Sequence, residues 1–146
     1  MEKVKVLFVC VHNSARSQMA ESFLNRHGGG RFKAESAGLE PGELNPVAVE
    51  AMGEIGVDIS RNRAKSAFEM YKGGKPFDYV VTVCDEAQAE RCPVFPGNAR
   101  RLHWSFPDPS AFSGTPLERL AQTRAVRDLI EARVRGWIGD IPQPGP

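Results

Sequence analysis

Cysteine, arginine and aspartate side chains supply the chemistry that this sequence could perform. Cys10 ends an apolar run, and Arg16 follows it after five intervening residues. A loop between a strand and a helix can turn its N–H groups inward and bind a tetrahedral oxyanion, aided by the helix dipole. The same positive field favours a nucleophilic Cys10 thiolate, and the planar guanidinium of Arg16 can hold two anion oxygens. The pattern therefore predicts an oxyanion-binding loop with a cysteine nucleophile.

The residues of this loop are expected to bind the anion mainly through their backbone N–H groups. We assign substrate binding to Val11, His12, Asn13, Ser14, Ala15, Arg16 and Ser17. Ser17 can donate a hydrogen bond to the thiolate, and Asn13 tolerates the left-handed backbone that a tight anion loop often requires. We interpret His12 as a loop residue, because a thiol that is already ionised needs no base.

A general acid must protonate the oxygen that leaves when a thiolate attacks an oxyanion centre. Asp108 lies between two prolines late in the chain, on a segment that the prolines make rigid. An Asp-Pro pair can also do no more than start a turn. Considered together with the Cys10 loop, Asp108 is the candidate acid.

Cys84 and Cys92 complete a set of three cysteines. An odd number argues against a framework of structural disulfides, and isolated thiols are often only small buried hydrophobic groups. However, Cys84 ends an apolar run just as Cys10 does. This shared position favours a functional role for Cys84.

The elements that must position these residues alternate between strands and helices. Apolar, β-branched runs predict strands at residues 4–9, 32–38, 77–84 and 99–104. Helices are predicted from a Ser14 cap to residues 28–30, from Pro46 to near Gly56, and over 117–138. We expect an α/β fold, a three-layer sandwich with a four-stranded parallel sheet and helices on both faces. Cys10, Cys84 and the loop that carries Asp108 then meet at the carboxyl ends of the strands.

Length and composition set the remaining expectations. The chain has 146 residues, of which 41% are hydrophobic and 25% charged, so we predict one domain over residues 1–140 and a frayed tail at 141–146. The net charge of +1 implies no nucleic acid or anionic membrane as a partner. The sequence shows neither a signal peptide nor an apolar run of about 20 residues that could span a bilayer. We expect a cytoplasmic protein, and a monomer.

Several segments resemble known enzymes. The loop "CVHNSAR" and the late "DP" resemble the plan of low-molecular-weight protein tyrosine phosphatases. The segments "SAG", "NPVAVEAMGEIGVDIS", "VVTVCDEAQAERCPVFPG" and "HWSFPDP" resemble the thioredoxin-coupled arsenate reductases, which share that fold. The resemblance extends to about residue 138, and its most specific element is the pair Cys84 and Cys92.

The resemblance implies reduction of arsenate to arsenite, without a bound cofactor. Cys10 attacks arsenic, and Cys84 then forms a disulfide with Cys10 as arsenite leaves. Cys92 next converts this bond to a Cys84–Cys92 disulfide, which the partner thioredoxin reduces. Phosphate and sulfate are the expected competing oxyanions. Two other functions stay open: a tyrosine phosphatase, which has no need of the late cysteines, and a non-enzymatic redox or oxyanion sensor.

Two further expectations concern the surroundings of the thiols. The polar segment 85–92 is helix-prone, and eight residues of straight helix span roughly 12 Å, which exceeds the Cα separation of about 4.4–6.8 Å in a disulfide. The segment must therefore unwind or loop out when it is oxidised. Some arsenate reductases hold a potassium ion through an acidic residue at a position that is Lys65 here. Its ammonium could take the place of the ion, so we expect no bound metal.

Overall fold

A four-stranded sheet with the order β2-β1-β3-β4 forms the centre of the computed structural model, which describes residues 3–95 and 97–141. Its strands are β1 (Val4–Cys10), β2 (Phe32–Gly38), β3 (Tyr79–Thr82) and β4 (Arg100–His103). All neighbouring strands are parallel. β1 and β3 lie inside the sheet and carry the apolar runs that mark strands buried on both faces. The predicted parallel α/β fold is confirmed.

The helices cover both faces of this sheet. They are α1 (Arg16–His27), α2 (Pro46–Gly53), α3 (Ala67–Lys72), α4 (Glu86–Ala89) and α5 (Pro116–Asp140). Val6 and Phe8 of β1 face a buried cluster shared with α1, α2 and α5. Leu7 and Val9 face the opposite cluster, which includes Ala67 of α3. The alternation of side chains along β1 thus separates the two cores of a three-layer sandwich.

The predicted cap of α1 is wrong. Ser14 does not cap the helix; the N-cap position is Ala15, which makes no side-chain capping hydrogen bond. A side-chain cap would occupy N–H groups that an anion at this helix terminus needs. Here the requirements of the loop override the capping preference of serine.

Other helix bounds also differ from the predictions. α2 ends at Gly53, and the chain then turns through Gly56, which has a φ of 80°. The prediction overlooked α3, although Ser66 accepts a hydrogen bond from the N–H of Glu69 in an ordinary capping arrangement. The segment after Cys84 contains only a single helical turn, α4, which Asp85 caps. The helix-prone character of the segment is thus expressed over one turn only.

The long helix α5 begins with a capping box between Thr115 and Glu118 and packs one face against the core. Ile141 is its C-cap, and the rest of the predicted frayed tail, residues 142–146, lies outside the described residues. The prediction of one domain over residues 1–140 stays a prediction. Within residues 3–95 and 97–141, no helix has both the length and the apolar composition to cross a bilayer.

Candidate active site

The loop after β1 turns its carbonyl groups away from the candidate site. The carbonyls of Cys10, Val11, His12 and Ser14 accept hydrogen bonds of 2.7–3.0 Å from the backbone N–H groups of Leu39, Glu40, Gly42 and Asn45. In a trans peptide the C=O and the next N–H point in opposite directions. The N–H groups that follow these carbonyls are therefore directed to the other side of the loop, where they can surround an oxyanion.

Cys10 is buried at the start of this loop and receives two hydrogen-bond donors. The backbone N–H of Asn13 donates to Cys10 Sγ at 3.1 Å, and Ser17 Oγ lies 2.8 Å from the same sulfur. Asn13 Nδ2 donates to Ser17 Oγ at 2.8 Å, which leaves the Ser17 hydroxyl hydrogen free to point at the sulfur. Donors of this kind stabilise the charged form of a thiol.

Asn13 holds the loop together from its centre. It has a φ of 54°, the left-handed conformation that its sequence position suggested. Its side-chain oxygen accepts hydrogen bonds from the N–H of Lys65 at 2.9 Å and from Gln18 Nε2 at 3.1 Å. Gln18 is completely buried and also donates to the carbonyl of Arg63. Gln18 was not among the predicted site residues, and its only sequence signal is that it is a polar residue beside the apolar stripe of α1.

Gly38 allows the loop to approach β2. A Cβ atom at this position would lie 2.8 Å from the Asn13 nitrogen, the His12 carbonyl carbon and the Val11 oxygen. These are backbone atoms, so they could not move aside without shifting the loop. Packing against the loop therefore requires glycine at this position. The motif "SAG" contains this glycine, but the sequence alone does not show why it is needed.

His12 turns its ring away from the thiol. Its Nδ1 lies 2.8 Å from the Glu40 carbonyl oxygen, which can accept a hydrogen bond if Nδ1 carries the ring hydrogen. The residue is exposed. This placement agrees with the interpretation of His12 as a loop residue. Val11 and Ser14 are half-buried and Ala15 is buried. These three residues can therefore serve the anion site through their backbone N–H groups rather than their side chains.

Arg16 and Asp108 lie side by side. Arg16 is buried at the first position of α1, and its Nη2 lies 3.6 Å from Asp108 Oδ2. Its Nη1 also donates to the carbonyl of Phe106 at 3.3 Å. The other carboxylate oxygen of Asp108 accepts the N–H of Ser110 at 2.9 Å, so the aspartate also forms a turn. The two interpretations of Asp108, acid and turn former, are thus compatible.

Cys84 lies beyond the carboxyl end of β3, in the same buried cluster as Cys10. Burial raises the pKa of its thiol to about 11. The Arg16 cation lowers this pKa and the Cys10 charge raises it, so both groups are within electrostatic reach of Cys84. The structure therefore brings Cys10, Arg16, Cys84 and Asp108 to one edge of the sheet.

Cys92 lies elsewhere. It is 4% exposed and belongs to the cluster on the opposite face of the sheet, with Phe77 and Phe95. Burial raises the pKa of its thiol, and Arg101 opposes that change. All three cysteines are free thiols. The structure does not bring Cys92 to the other candidate residues.

Lys65 lies beside the half-buried carboxylate of Glu21, close to the loop that follows β1. Its Nζ lies 3.9 Å from Glu21 Oε1, which also accepts a hydrogen bond from Ser36 Oγ at 3.0 Å. Burial raises the pKa of Glu21, while Lys65 lowers it. An ammonium group already supplies the positive charge beside this carboxylate, so the residues present do not fit a potassium ion. In the described part of the chain, His, Cys, Asp and Glu side chains form no group of three or more that could hold a metal.

The sheet, the loop after β1 and the buried thiol at its start define a class of protein, the enzymes with the low-molecular-weight phosphatase fold. In agreement, residues 5–144 match the family described as low molecular weight phosphotyrosine protein phosphatase. The arsenate reductase of Halalkalibacterium halodurans is 42% identical over 135 residues, which cover 92% of this chain and 95% of that protein. The chain therefore belongs to the arsenate reductases of the low-molecular-weight phosphatase family.

Solved structures show the same relationship. The crystal structure of an arsenate reductase from Archaeoglobus fulgidus has a TM-score of 0.73 and 32% sequence identity, and the match covers 92% of this chain and 98% of that one. A thioredoxin-dependent arsenate reductase of Corynebacterium glutamicum has a TM-score of 0.69 and 28% identity, with coverage of 94% of this chain and 61% of that one. The predicted resemblance is confirmed at the level of the family.

Proposed function

We propose that this enzyme reduces arsenate to arsenite by a relay of three thiols that thioredoxin regenerates. The observation that carries the proposal is the second buried thiol, Cys84, within electrostatic reach of both Cys10 and Arg16. Hydrolysis of a phosphate ester needs a nucleophile, an anion clamp and an acid, but no second thiol. A second thiol at this position serves a step in which one sulfur attacks another. The names of the relatives support the same assignment.

The first step joins arsenate to the enzyme. The loop N–H groups and the guanidinium of Arg16 hold the arsenate oxygens, and the Cys10 thiolate attacks arsenic. An S–As bond forms and an As–O bond breaks. Asp108, which lies 3.6 Å from the Arg16 guanidinium, donates its proton so that the oxygen leaves as water.

The second step reduces arsenic. The Cys84 thiolate attacks Sγ of Cys10, an S–S bond forms and the S–As bond breaks. The electron pair of the broken bond passes to arsenic, so As(V) becomes As(III) and arsenite leaves, while two thiols become one disulfide. The Arg16 cation lowers the pKa of Cys84, which burial raises, and so favours the thiolate that attacks in this step.

The third step transfers the disulfide to a place where thioredoxin can act. Cys92 attacks Cys84, Cys10 leaves as a thiolate, and a Cys84–Cys92 disulfide forms. Because Cys92 starts in the opposite core cluster, residues 85–92 must rearrange. The single turn of α4 has no buried residue, so its unfolding sacrifices little packing. Thioredoxin then reduces the new disulfide.

A weak phosphatase activity is compatible with the same site, because phosphate and arsenate share shape and charge. We therefore expect phosphate and sulfate to compete with arsenate. We further propose that the enzyme acts as a cytoplasmic monomer without a bound cofactor, and that its reducing equivalents come from thioredoxin. In a non-enzymatic sensor, by contrast, the thiols would become oxidised but the protein would release no arsenite.

The late cysteines provide the decisive experiment. Cys84→Ser should release no arsenite in a single turnover, because no thiol remains to displace Cys10 from arsenic. It should keep any phosphatase activity, because hydrolysis of the thiol ester between Cys10 and phosphate needs only water and Asp108. Cys92→Ser should yield about one arsenite per enzyme and then stop as a Cys10–Cys84 disulfide. Rapid-quench arsenite assays and mass spectrometry of digested protein measure these outcomes.

The two variants act as controls for each other, since both replace a buried thiol with a hydroxyl. The reductant is tested by comparing thioredoxin, its reductase and NADPH with glutathione and glutaredoxin. Continuous cycling of Cys92→Ser with thioredoxin would exclude the three-thiol relay. Arsenite release from Cys84→Ser would exclude the second step as written.

A further inference from the structure

Arg101 and Cys92 meet at one backbone carbonyl. The Ala89 oxygen, at the end of α4, accepts the N–H of Cys92 at 3.1 Å and also Arg101 Nη2 at 3.0 Å. The turn that carries Cys92 is therefore fastened to the guanidinium of a residue outside that turn. No other side chain described in residues 3–95 and 97–141 donates to this carbonyl.

The sheet determines where Arg101 points. In the register of β3 and β4, Arg101 is paired with Val80, which belongs to the same core cluster as Cys92. Its neighbour Arg100 is paired with Tyr79, which packs against the opposite cluster. Because side chains alternate along a strand, only Arg101 of the two faces the Cys92 side.

The charge of Arg101 also acts on Cys92. Cys92 is buried, which disfavours its thiolate, and its Sγ lies 3.6 Å from the Pro93 carbonyl, to which a protonated thiol can donate. Only the thiolate attacks a disulfide. Arg101 lowers the pKa that burial raises. A cation anchored on a strand beside the Cys92 turn thus favours the reactive form of the thiol.

We propose that Arg101 is a positioning residue for the third step: it anchors the Cys92 turn through the Ala89 carbonyl before the segment rearranges, and it stabilises the thiolate from which the attack starts. The inference rests on the proposed relay. In the step concerned, the Cys92–Cys84 bond forms as the Cys10–Cys84 bond breaks. Cys92 loses its proton to solvent and Cys10 receives the electron pair, so no external oxidant or reductant takes part.

The test compares Arg101→Met with Arg100→Met. Both replace an arginine of β4 by an unbranched, uncharged side chain, but only the first removes the contact with Ala89. For each pKa unit by which Cys92 rises, the thiolate fraction falls tenfold while its intrinsic nucleophilicity rises about threefold, so the rate falls roughly threefold. Arg101→Lys restores the charge and should recover most of this loss.

Rapid quenching at several pH values separates the steps. For Arg101→Met we expect a wild-type burst of arsenite, a third step slowed roughly threefold for each pKa unit that Arg101 contributes at Cys92, accumulation of the Cys10–Cys84 disulfide, and a pH profile displaced to higher pH. Arg100→Met should behave as wild type. A third step with unchanged rate and pH profile in Arg101→Met would overturn the proposal, as would a loss of the burst, which indicates a general structural defect.

Cys92→Ser, measured in parallel, distinguishes this failure from failure of the relay. If Cys92→Ser stops after one turnover and Arg101→Met is indistinguishable from wild type, the relay stands and the role of Arg101 is excluded. If Cys92→Ser itself cycles normally, the relay is wrong, and the role assigned to Arg101 falls with it.

Discussion

Arg16 Nη2 lies 3.6 Å from Asp108 Oδ2, so the cation that can clamp an oxyanion and the carboxyl that can protonate it face each other. The two residues are far apart in sequence, and each lies at the carboxyl edge of the sheet. An oxyanion held by the guanidinium brings an oxygen close to the aspartate. The proposed acid is therefore positioned by the same group that is proposed to bind the substrate.

Asp108→Asn should preserve anion binding and slow the first chemical step. The amide has almost the shape of the acid but no acidic proton, and loss of a positioned acid typically costs about 10²–10⁴-fold in rate. Single-turnover arsenite formation and phosphate titration measure the two effects. Asp128→Asn, at a side chain that is 62% exposed, is the matched control. An unchanged single-turnover rate would show that Asp108 only forms the turn.

Gly38→Ala should abolish anion binding while the sheet remains folded. The added Cβ would lie 2.8 Å from backbone atoms of the loop, so the loop would have to shift. Its N–H groups would then no longer point at a common anion. Titration with phosphate and circular dichroism test this together. Gly30→Ala is the control, since a Cβ there meets nothing within 4 Å. Normal phosphate affinity in Gly38→Ala would mean that the loop is more adaptable than its contacts indicate.

The arsenite-forming step should accelerate with pH. Burial raises the pKa of Cys84 to about 11, so its thiolate fraction increases about tenfold per pH unit below that value. Single turnovers between pH 7 and 9 should therefore release arsenite faster as pH rises. A flat profile would require another route for ionising Cys84.

Catalytic efficiency should not depend on potassium. Lys65 Nζ lies 3.9 Å from Glu21 Oε1 and supplies a positive charge at that carboxylate, so a potassium ion would meet repulsion. Assays in sodium and potassium chloride at equal ionic strength should agree, whereas Lys65→Asp should introduce a potassium response. A several-fold increase for the unmodified enzyme in potassium would contradict the assignment.

The sheet and the anion loop were predictable because local patterns specify them. The apolar runs of β1 and β3 can be recognised without knowing which segments pack against them. Cys10 and Arg16 are separated by one short loop, so their spacing can be read directly from the sequence. Capping was less predictable, since the anion loop overrides the preference of Ser14 for an N-cap. The short helix α3 was overlooked although Ser66 marks its start.

Contacts between distant segments could not be derived from periodicity. Gln18 supports Asn13 and the carbonyl of Arg63, and Gly38 leaves room for the loop, but each role depends on segments that meet only in the folded chain. The position of Cys92 in the opposite core cluster is a further example. Its spacing from Cys84 in the sequence does not reveal on which face of the sheet it packs.

The separation of the cysteines between two core clusters has a kinetic consequence. Cys10 and Cys84 belong to one face of the sheet and Cys92 to the other. In the proposed relay, arsenite leaves from Cys10 before the reducing protein meets the Cys84–Cys92 disulfide. We therefore expect the two half-reactions to follow a ping-pong scheme in which neither substrate competes with the other. Steady-state rates measured while both concentrations are varied should give parallel double-reciprocal lines.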